Sequence, residues 1–240
     1  MCHHFFMFIQ KNKKKCDRNC CSLKIAFIII CLLFFPSRGA AGNPMPLDEL
    51  VAKTQARYEK TEDLKARFIQ EVTIKSMNKK DREEGVLYVK NPRRMLWVYS
   101  KPKAKKLIIN PKKAWLYMPD DRVVYIQDAE NVYKSKLAVK FLSGIGKLGE
   151  DFRIGYSQPD AVDGKGNYLL TLVPKVADTG ISNLYLTIDK ENFQVIQCCF
   201  SDFYGNMTSI RLTDIKINNN LSEKLFNFKP PSGVEIFNMP

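Results

Sequence analysis

The chain has 240 residues, 26% of them charged, and its 38 basic against 25 acidic side chains give a net charge of +13. Its only histidines are His3 and His4, and five of its seven cysteines (Cys2, Cys16, Cys20, Cys21 and Cys31) lie near the N-terminus. The remainder of the chain therefore excludes a Ser-His-Asp or Cys-His nucleophile system, a histidine-based metal site and a disulfide framework.

At the N-terminus, Lys11, Lys13, Lys14, Lys15, Arg18 and Lys24 form a basic segment, residues 25–35 are an apolar run, and residues 37–42 are mostly small. That order is the pattern of a secretory signal peptide, residues 1–41, cleaved after Ala41. The apolar run is too short to span a bilayer, which takes ~20 residues. Residues 42–240 are expected to form one exported domain with 31 basic and 24 acidic side chains, a charge of +7. Such a charge suits acidic partners, including anionic lipid surfaces. No Gly-rich phosphate loop or compact nucleic-acid module is present, and export also argues against nucleic acid as a partner.

Residues 46–60 are predicted as a helix. Pro46 suits the first helical position, Asp48 and Glu49 suit the positive end of the dipole, and Leu47, Leu50, Val51, Thr54 and Tyr58 form one stripe. Strands follow at short intervals. Leu64, Ala66, Phe68, Gln70, Val72 and Ile74 alternate with polar residues, giving one buried face. Residues 77–82 read as a basic turn, followed by strands ending near Val89 and Tyr99 and strands at 107–109, 114–118 and 123–126. No helix separates them, which is the pattern of a meander or barrel.

Both tryptophans lie in this stretch, each two residues before a tyrosine: Trp97 and Tyr99, Trp115 and Tyr117. In a strand that spacing places each pair on one face. Leu96 and Val98 make the opposite face apolar too, so alternation alone leaves the inward face open. Asp120 and Asp121, the raw material for a carboxylate hydrolase, sit in a Pro-Asp-Asp-Arg sequence that turn chemistry explains. No spaced acidic run of the calcium-loop type appears. Binding is favoured over catalysis, and no cofactor is expected.

The strand run breaks at 130–148, where Leu137, Ala138, Phe141 and Leu142 share a helical face and Gly144 is placed as a stop. Strands then resume at 152–156, 168–173, 184–188, 193–200 and 207–217. Cys198 and Cys199, adjacent in one of them, are expected to face opposite ways rather than bridge. The sum is a β-dominated α+β domain of about eleven strands, a single strongly curved antiparallel sheet forming an unclosed β-barrel. Strand side chains alone cannot fill so wide an interior, so helices or a ligand must plug it.

Several segments in order resemble the periplasmic outer-membrane lipoprotein carrier family, LolA. They are the signal peptide, the amphipathic helix, Phe68-Ile69-Gln70, the run from Gly85 to Trp97-Val98-Tyr99 with a proline inside it, and Ala114-Trp115-Leu116-Tyr117-Met118-Pro119. Residues 137–144 are similar to that family's lid helix. Asp202-Phe203-Tyr204-Gly205-Asn206 and the closing Phe226-Asn227-Phe228-Lys229-Pro230-Pro231-Ser232-Gly233-Val234 complete the set.

The resemblance implies a helix-lidded half-barrel that holds lipoprotein acyl chains in an apolar cavity. It also implies a monomer in the periplasm that takes cargo from an inner-membrane ABC transporter and hands it to an outer-membrane receptor. Cavity lining is expected from Leu50, Val51, Tyr58, Phe68, Leu87, Met95, Trp97, Tyr99, Trp115 and Tyr117, with Leu137, Phe141 and Leu142 in the lid. Members often carry Arg just before the proline where this chain has Asn91, with Arg93 and Arg94 after it. These three are the candidates for gating and handover. The lid segment also lacks a proline near its start. A membrane-bound receptor or lipid sensor of the same fold is the alternative.

Overall fold

A chain that alternates apolar and polar side chains through many short runs has no way to bury its apolar halves except on a common sheet. The computed structural model describes residues 44–135, 148–176, 182–202 and 204–239. A helix, α1 (Leu47–Glu59), precedes six strands: β1 (Asp63–Ile74), β2 (Lys79–Lys90), β3 (Arg94–Lys101), β4 (Lys105–Ile109), β5 (Lys113–Met118) and β6 (Val123–Asp128). Two short helices, α2 (Ala129–Ser135) and α3 (Leu148–Asp151), lead to β7 (Phe152–Tyr156), β8 (Tyr168–Pro174), β9 (Asn183–Ile188), β10 (Val195–Ser201) and β11 (Met207–Ile217). A 3-10 turn (Glu223–Phe226) and β12 (Glu235–Asn238) close the chain.

The twelve strands form one curved sheet in the order β12-β6-β5-β4-β3-β2-β1-β11-β10-β9-β8-β7. It does not close, because β12 and β7 stand at opposite edges. All pairings are antiparallel except β12 beside β6. The sheet is therefore the predicted β-dominated unclosed barrel with one strand more than expected. The extra one, β12, is only four residues long and exposed throughout, so it carries no burial pattern to read in the sequence.

One expected turn is partly strand. Lys79 already pairs with Ile74, and the hairpin turn is confined to residues 75–78. The charged stretch extends the strand because its residues find cross-strand partners: Lys80 lies 2.8 Å and Arg82 3.6 Å from the Glu71 carboxylate. Opposite charges on facing positions support a ladder that has no apolar face to bury. The predicted lid residues Leu137, Phe141 and Leu142, and Gly144 after them, lie outside the described residues.

The inward face is fixed by burial. Phe68, Leu87, Met95, Trp97 and Tyr99 join Leu50 of α1 and Leu170, Leu172, Leu184, Leu186 and Ile188 from the other half of the sheet in one core. The opposite face is apolar for a separate reason. Leu96 and Ile108 carry Phe226, fully buried, with Trp115, Leu221 and Phe228 around it. Covering such side chains is worth ~1.5–3 kcal/mol each. The segment that brings Phe226 there is tied down by the buried Asp63 carboxylate, which accepts from the Asn219 and Leu221 amides at 2.7 and 2.9 Å. Lys90 Nζ adds a bond to the Leu221 carbonyl at 2.7 Å, and Arg94 meets Glu223 at 3.1 Å.

Gly85 sits where three of these elements converge. It pairs with Phe68 on one side and Tyr99 on the other, beside a register shift in β2. A Cβ there would come within 2.0 Å of the Val98 carbonyl oxygen and 2.8 Å of the Phe68 ring. Gly85→Ala is expected to destabilise the fold by ~2–3 kcal/mol through overpacking, lowering the urea midpoint by ~1 M. An unchanged midpoint would contradict this account of the glycine.

Candidate functional site

An aromatic cluster occupies the centre of the concave face. The Phe68 ring meets Trp97 edge-on at 4.6 Å and Tyr99 at 5.0 Å, and Trp97 and Tyr99 stack at 6.2 Å. The Trp97 indole N–H points to the Met95 sulfur at 2.8 Å. Edge-to-face pairs of this kind add ~0.5–1.5 kcal/mol each beyond their burial. The Tyr99 hydroxyl lies 3.3 Å from Gln70 Oε1, and burial, reinforced by the Glu83 carboxylate, pushes its phenol well above the ordinary range.

Beside this cluster the concave face opens into a cavity of about 180 Å3. Its apolar wall is Tyr99, Leu107, Ala114, Leu116, Tyr125 and Met239, with Lys105 and Gln127 as polar members. Cross-strand register aligns the row: Trp97 faces Leu107, Leu107 faces Leu116 and Leu116 faces Tyr125. Phe237 of β12 stacks on Tyr125 at 5.5 Å and extends the row to the sheet edge. A larger groove of about 530 Å3 lies elsewhere, along a row that includes Asp163, Lys165, Thr187, Gln197 and Arg211. Leu169, Ile196 and Leu212 complete its lining, so it mixes polar and apolar side chains.

The two halves of the concave face differ in what covers them. Among the described residues, several contacts of α1 and of the segment before it go to the β7–β10 half. The Tyr58 hydroxyl accepts from the Val195 amide at 3.3 Å, Lys53 lies over the Phe193 ring, Gln55 accepts from the Leu148 amide, and the Tyr156 hydroxyl donates to the Met45 carbonyl. Burial pushes the Tyr58 phenol up as well. Leu50 and Thr54 are fully buried there, and Val51 is half-buried. The cavity lies instead over β3–β6.

Of the predicted lining residues, Tyr99 and Trp115 line this cavity. Phe68, Leu87, Met95 and Trp97 stand behind it as closely packed core, and Leu50, Val51 and Tyr58 belong to the α1-covered half. Trp115 and Tyr117 are placed differently from Trp97 and Tyr99. Trp115 lines the cavity beside Ala114 and Leu116, and its ring and that of Tyr117 meet Phe228 of the convex-face segment, at 6.3 and 5.3 Å. The reason is parity: Ile109 faces Ala114 across the β4–β5 turn, which puts Leu116 and not Trp115 in line with Trp97. Leu107, Leu116 and Tyr125 were missed because register across hairpins, not aromatic character, selects the face.

The residues around Pro92 have separate structural partners. Asn91 donates from Nδ2 to the Thr61 carbonyl at 2.6 Å and from its backbone to Glu62 at 2.8 Å, fixing the link between α1 and β1. Arg94 reaches Glu223 of the convex-face segment. Arg93 meets Glu130 of α2 at 3.2 Å, and so ties the β2–β3 turn to the helix that follows β6. Cys198 faces the core with its thiol pushed up by burial, while Cys199 faces Ser209 on the other side, 3.3 Å away. Among the described residues no group of His, Cys, Asp and Glu is arranged to hold a metal ion.

The sequence profile of the family described as "Outer membrane lipoprotein carrier protein LolA" matches residues 59–229. The outer-membrane lipoprotein carrier protein of Pseudomonas aeruginosa strain PAO1 is 32% identical over 187 residues, 78% of this chain and 86% of that one. The protein of the same name from Hahella chejuensis is 27% identical over 175 residues, 73% of this chain and 81% of that one. A solved structure of an uncharacterized conserved protein from Thermus thermophilus superposes with a TM-score of 0.51, at 14% identity, over 80% of this chain and 98% of that one. That last likeness is one of fold.

Thr54 offers a direct test of how the covered half is packed. Its hydroxyl is buried and has no hydrogen-bond partner among the described residues. An unpaired buried hydroxyl costs ~1–3 kcal/mol, and valine has the same branched shape. Thr54→Val is therefore expected to raise stability by ~1 kcal/mol in equilibrium denaturation. A loss of stability would mean that the hydroxyl is satisfied.

Proposed function

The chain belongs to the outer membrane lipoprotein carrier protein LolA family, and from that membership we propose that it is a periplasmic chaperone for lipoproteins. It binds their acyl chains on the concave face of the half-barrel and carries them from the inner to the outer membrane. The physical need for such a carrier is large. Each exposed methylene costs ~0.8 kcal/mol in water, so an acylated protein carries on the order of tens of kcal/mol of penalty and does not cross an aqueous compartment unaided.

The observation that carries this reading is the apolar cavity over β3–β6, walled by Tyr99, Leu107, Leu116 and Tyr125 and backed by the Phe68–Trp97–Tyr99 cluster. At about 180 Å3 it is below the ~300–1,000 Å3 that encloses a small ligand. Acyl chains therefore enter by displacing side chains of that face. Aromatic and methionine side chains suit this, because they repack without a large penalty. The Arg93–Glu130 pair joins the turn at one end of β3 to α2 across the region that must open. It is the strongest of the three gating candidates, whereas Asn91 serves the α1–β1 link.

The rest of the proposal follows the family. Residues 1–41 direct export, and no helix among the described residues is long and apolar enough to cross a membrane. Cargo comes from an inner-membrane lipoprotein-releasing ABC transporter and passes to an outer-membrane lipoprotein receptor. The carrier acts as a monomer without enzymatic chemistry, cofactor or nucleic acid.

The two tryptophans make the proposal measurable. Trp97 is buried beside the cavity and Trp115 meets Phe228 of the convex-face segment. Titrating a synthetic diacylated lipopeptide into the mature protein should change the emission of a Trp115→Phe variant, in which Trp97 is the reporter. The emission of a Trp97→Phe variant, in which Trp115 between the cavity and Phe228 is the reporter, should change less. No response in either variant would place the lipid elsewhere and sink the reading.

A further inference from the structure

Lys105 stands at the junction of two cavities. One is the apolar cavity of about 180 Å3, and the other, about 160 Å3, is formed with Glu83, Lys103, Met118, Asp120 and Asp121 at the end of the sheet. The Lys105 ammonium lies 2.6 Å from the Glu83 carboxylate and 4.3 Å from the centre of the Tyr99 ring. Both charged side chains are largely shielded, at 27% and 20% exposure. Glu83 is in turn held by Gln70 Nε2 at 3.4 Å, and Gln70 Oε1 lies 3.3 Å from the Tyr99 hydroxyl.

A lysine normally keeps its head in water and spends its stem on apolar surface. Here the head is fixed at the boundary of an apolar chamber, although open water lies close by. An ammonium has three donors. Glu83 takes one, and among the described residues no other acceptor meets Lys105. The charge, by contrast, is already balanced. A second carboxylate at this point would stand beside Glu83 and near Asp120 and Asp121, and like charges in a shielded site repel strongly. The acceptor that fits the spare donors is therefore neutral.

We propose that Lys105 reads the carbonyl oxygen of the ester or amide that joins each acyl chain to the cargo. The hydrocarbon then lies in the cavity walled by Leu107, Leu116 and Tyr125. The hydrophilic remainder of the cargo leaves past Lys103, Asp120 and Asp121, through the cavity between the β3–β4 and β5–β6 turns. The proposal rests on the carrier reading and goes beyond it. It names the part of the cargo that is recognised and the end of the sheet where the protein portion emerges. It also predicts discrimination against free fatty acids, whose carboxylate would crowd Glu83.

The test compares two probes on the delipidated mature protein by calorimetric titration. One is a diacylglyceryl-cysteine peptide, and the other is its dialkyl-ether analogue, which lacks the carbonyls. The wild type should bind the ester form ~10-fold more tightly, the effect of one charge-assisted hydrogen bond. Lys105→Met should bring the ester affinity down to that of the ether, and Lys105→Arg, which keeps the donors, should preserve most of the preference. Equal wild-type binding of both probes overturns the proposal while leaving the carrier reading standing, as does an equal loss for both in Lys105→Met. Failure of the wild type to bind either probe overturns both readings.

Discussion

The concave face depends on a side chain that is absent. Gly85 leaves the space in which the Phe68 ring lies between Trp97 and Tyr99, at the place where β1, β2 and β3 run side by side. A methyl group there would meet both the Val98 carbonyl and the ring. The close approach of β3 and the aromatic cluster on it are thus one feature with a single steric cause. The cluster in turn forms the back wall of the cavity. It holds Tyr99 against Lys105 and Gln70, where apolar lining gives way to a polar end.

A sheet that is apolar on both faces needs a cover on each, and this chain supplies them unequally. The convex face of β2–β5 receives the C-terminal segment, whose Phe226 is fully buried and whose path is set by the Asp63 carboxylate. The concave face of the β7–β10 half receives α1. Among the described residues, the concave face of β3–β6 carries a cavity and a tether, Arg93 to Glu130. The half that is already covered gives rigidity. In the proposed carrier, the β3–β6 half is where a ligand gains most, because its apolar lining gains from contact. Retention and release of hydrocarbon require that combination of a fixed frame and an adaptable wall.

Much of the architecture was legible in the sequence. The stripe Leu47, Leu50, Val51, Thr54 and Tyr58 marks α1, alternation marks β1, and short apolar runs between turn residues mark the rest of about eleven strands. β12 was not legible, since four exposed residues carry no such pattern. Lys79–Arg82 looked like a turn because its composition is basic, while its strand state comes from cross-strand charge pairing that only the register reveals. The same cause separates Trp115 and Tyr117 from Trp97 and Tyr99. Their spacing repeats that of Trp97 and Tyr99, but the turn between Ile109 and Ala114 reverses which positions face inward. Leu107, Leu116, Tyr125 and the Lys105–Glu83 pair were silent for this reason too. The face a residue serves is a property of pairing across several hairpins, and single-strand periodicity does not contain it.

The most direct test of the central claim, that the concave face carries lipoprotein acyl chains, is native mass spectrometry of the mature protein isolated from the periplasm under gentle conditions. The account predicts a one-to-one complex that releases, on activation, a protein bearing the mass increment of an acylated N-terminal cysteine. Recovery of the protein only in the free state, or only with free phospholipid, would contradict it.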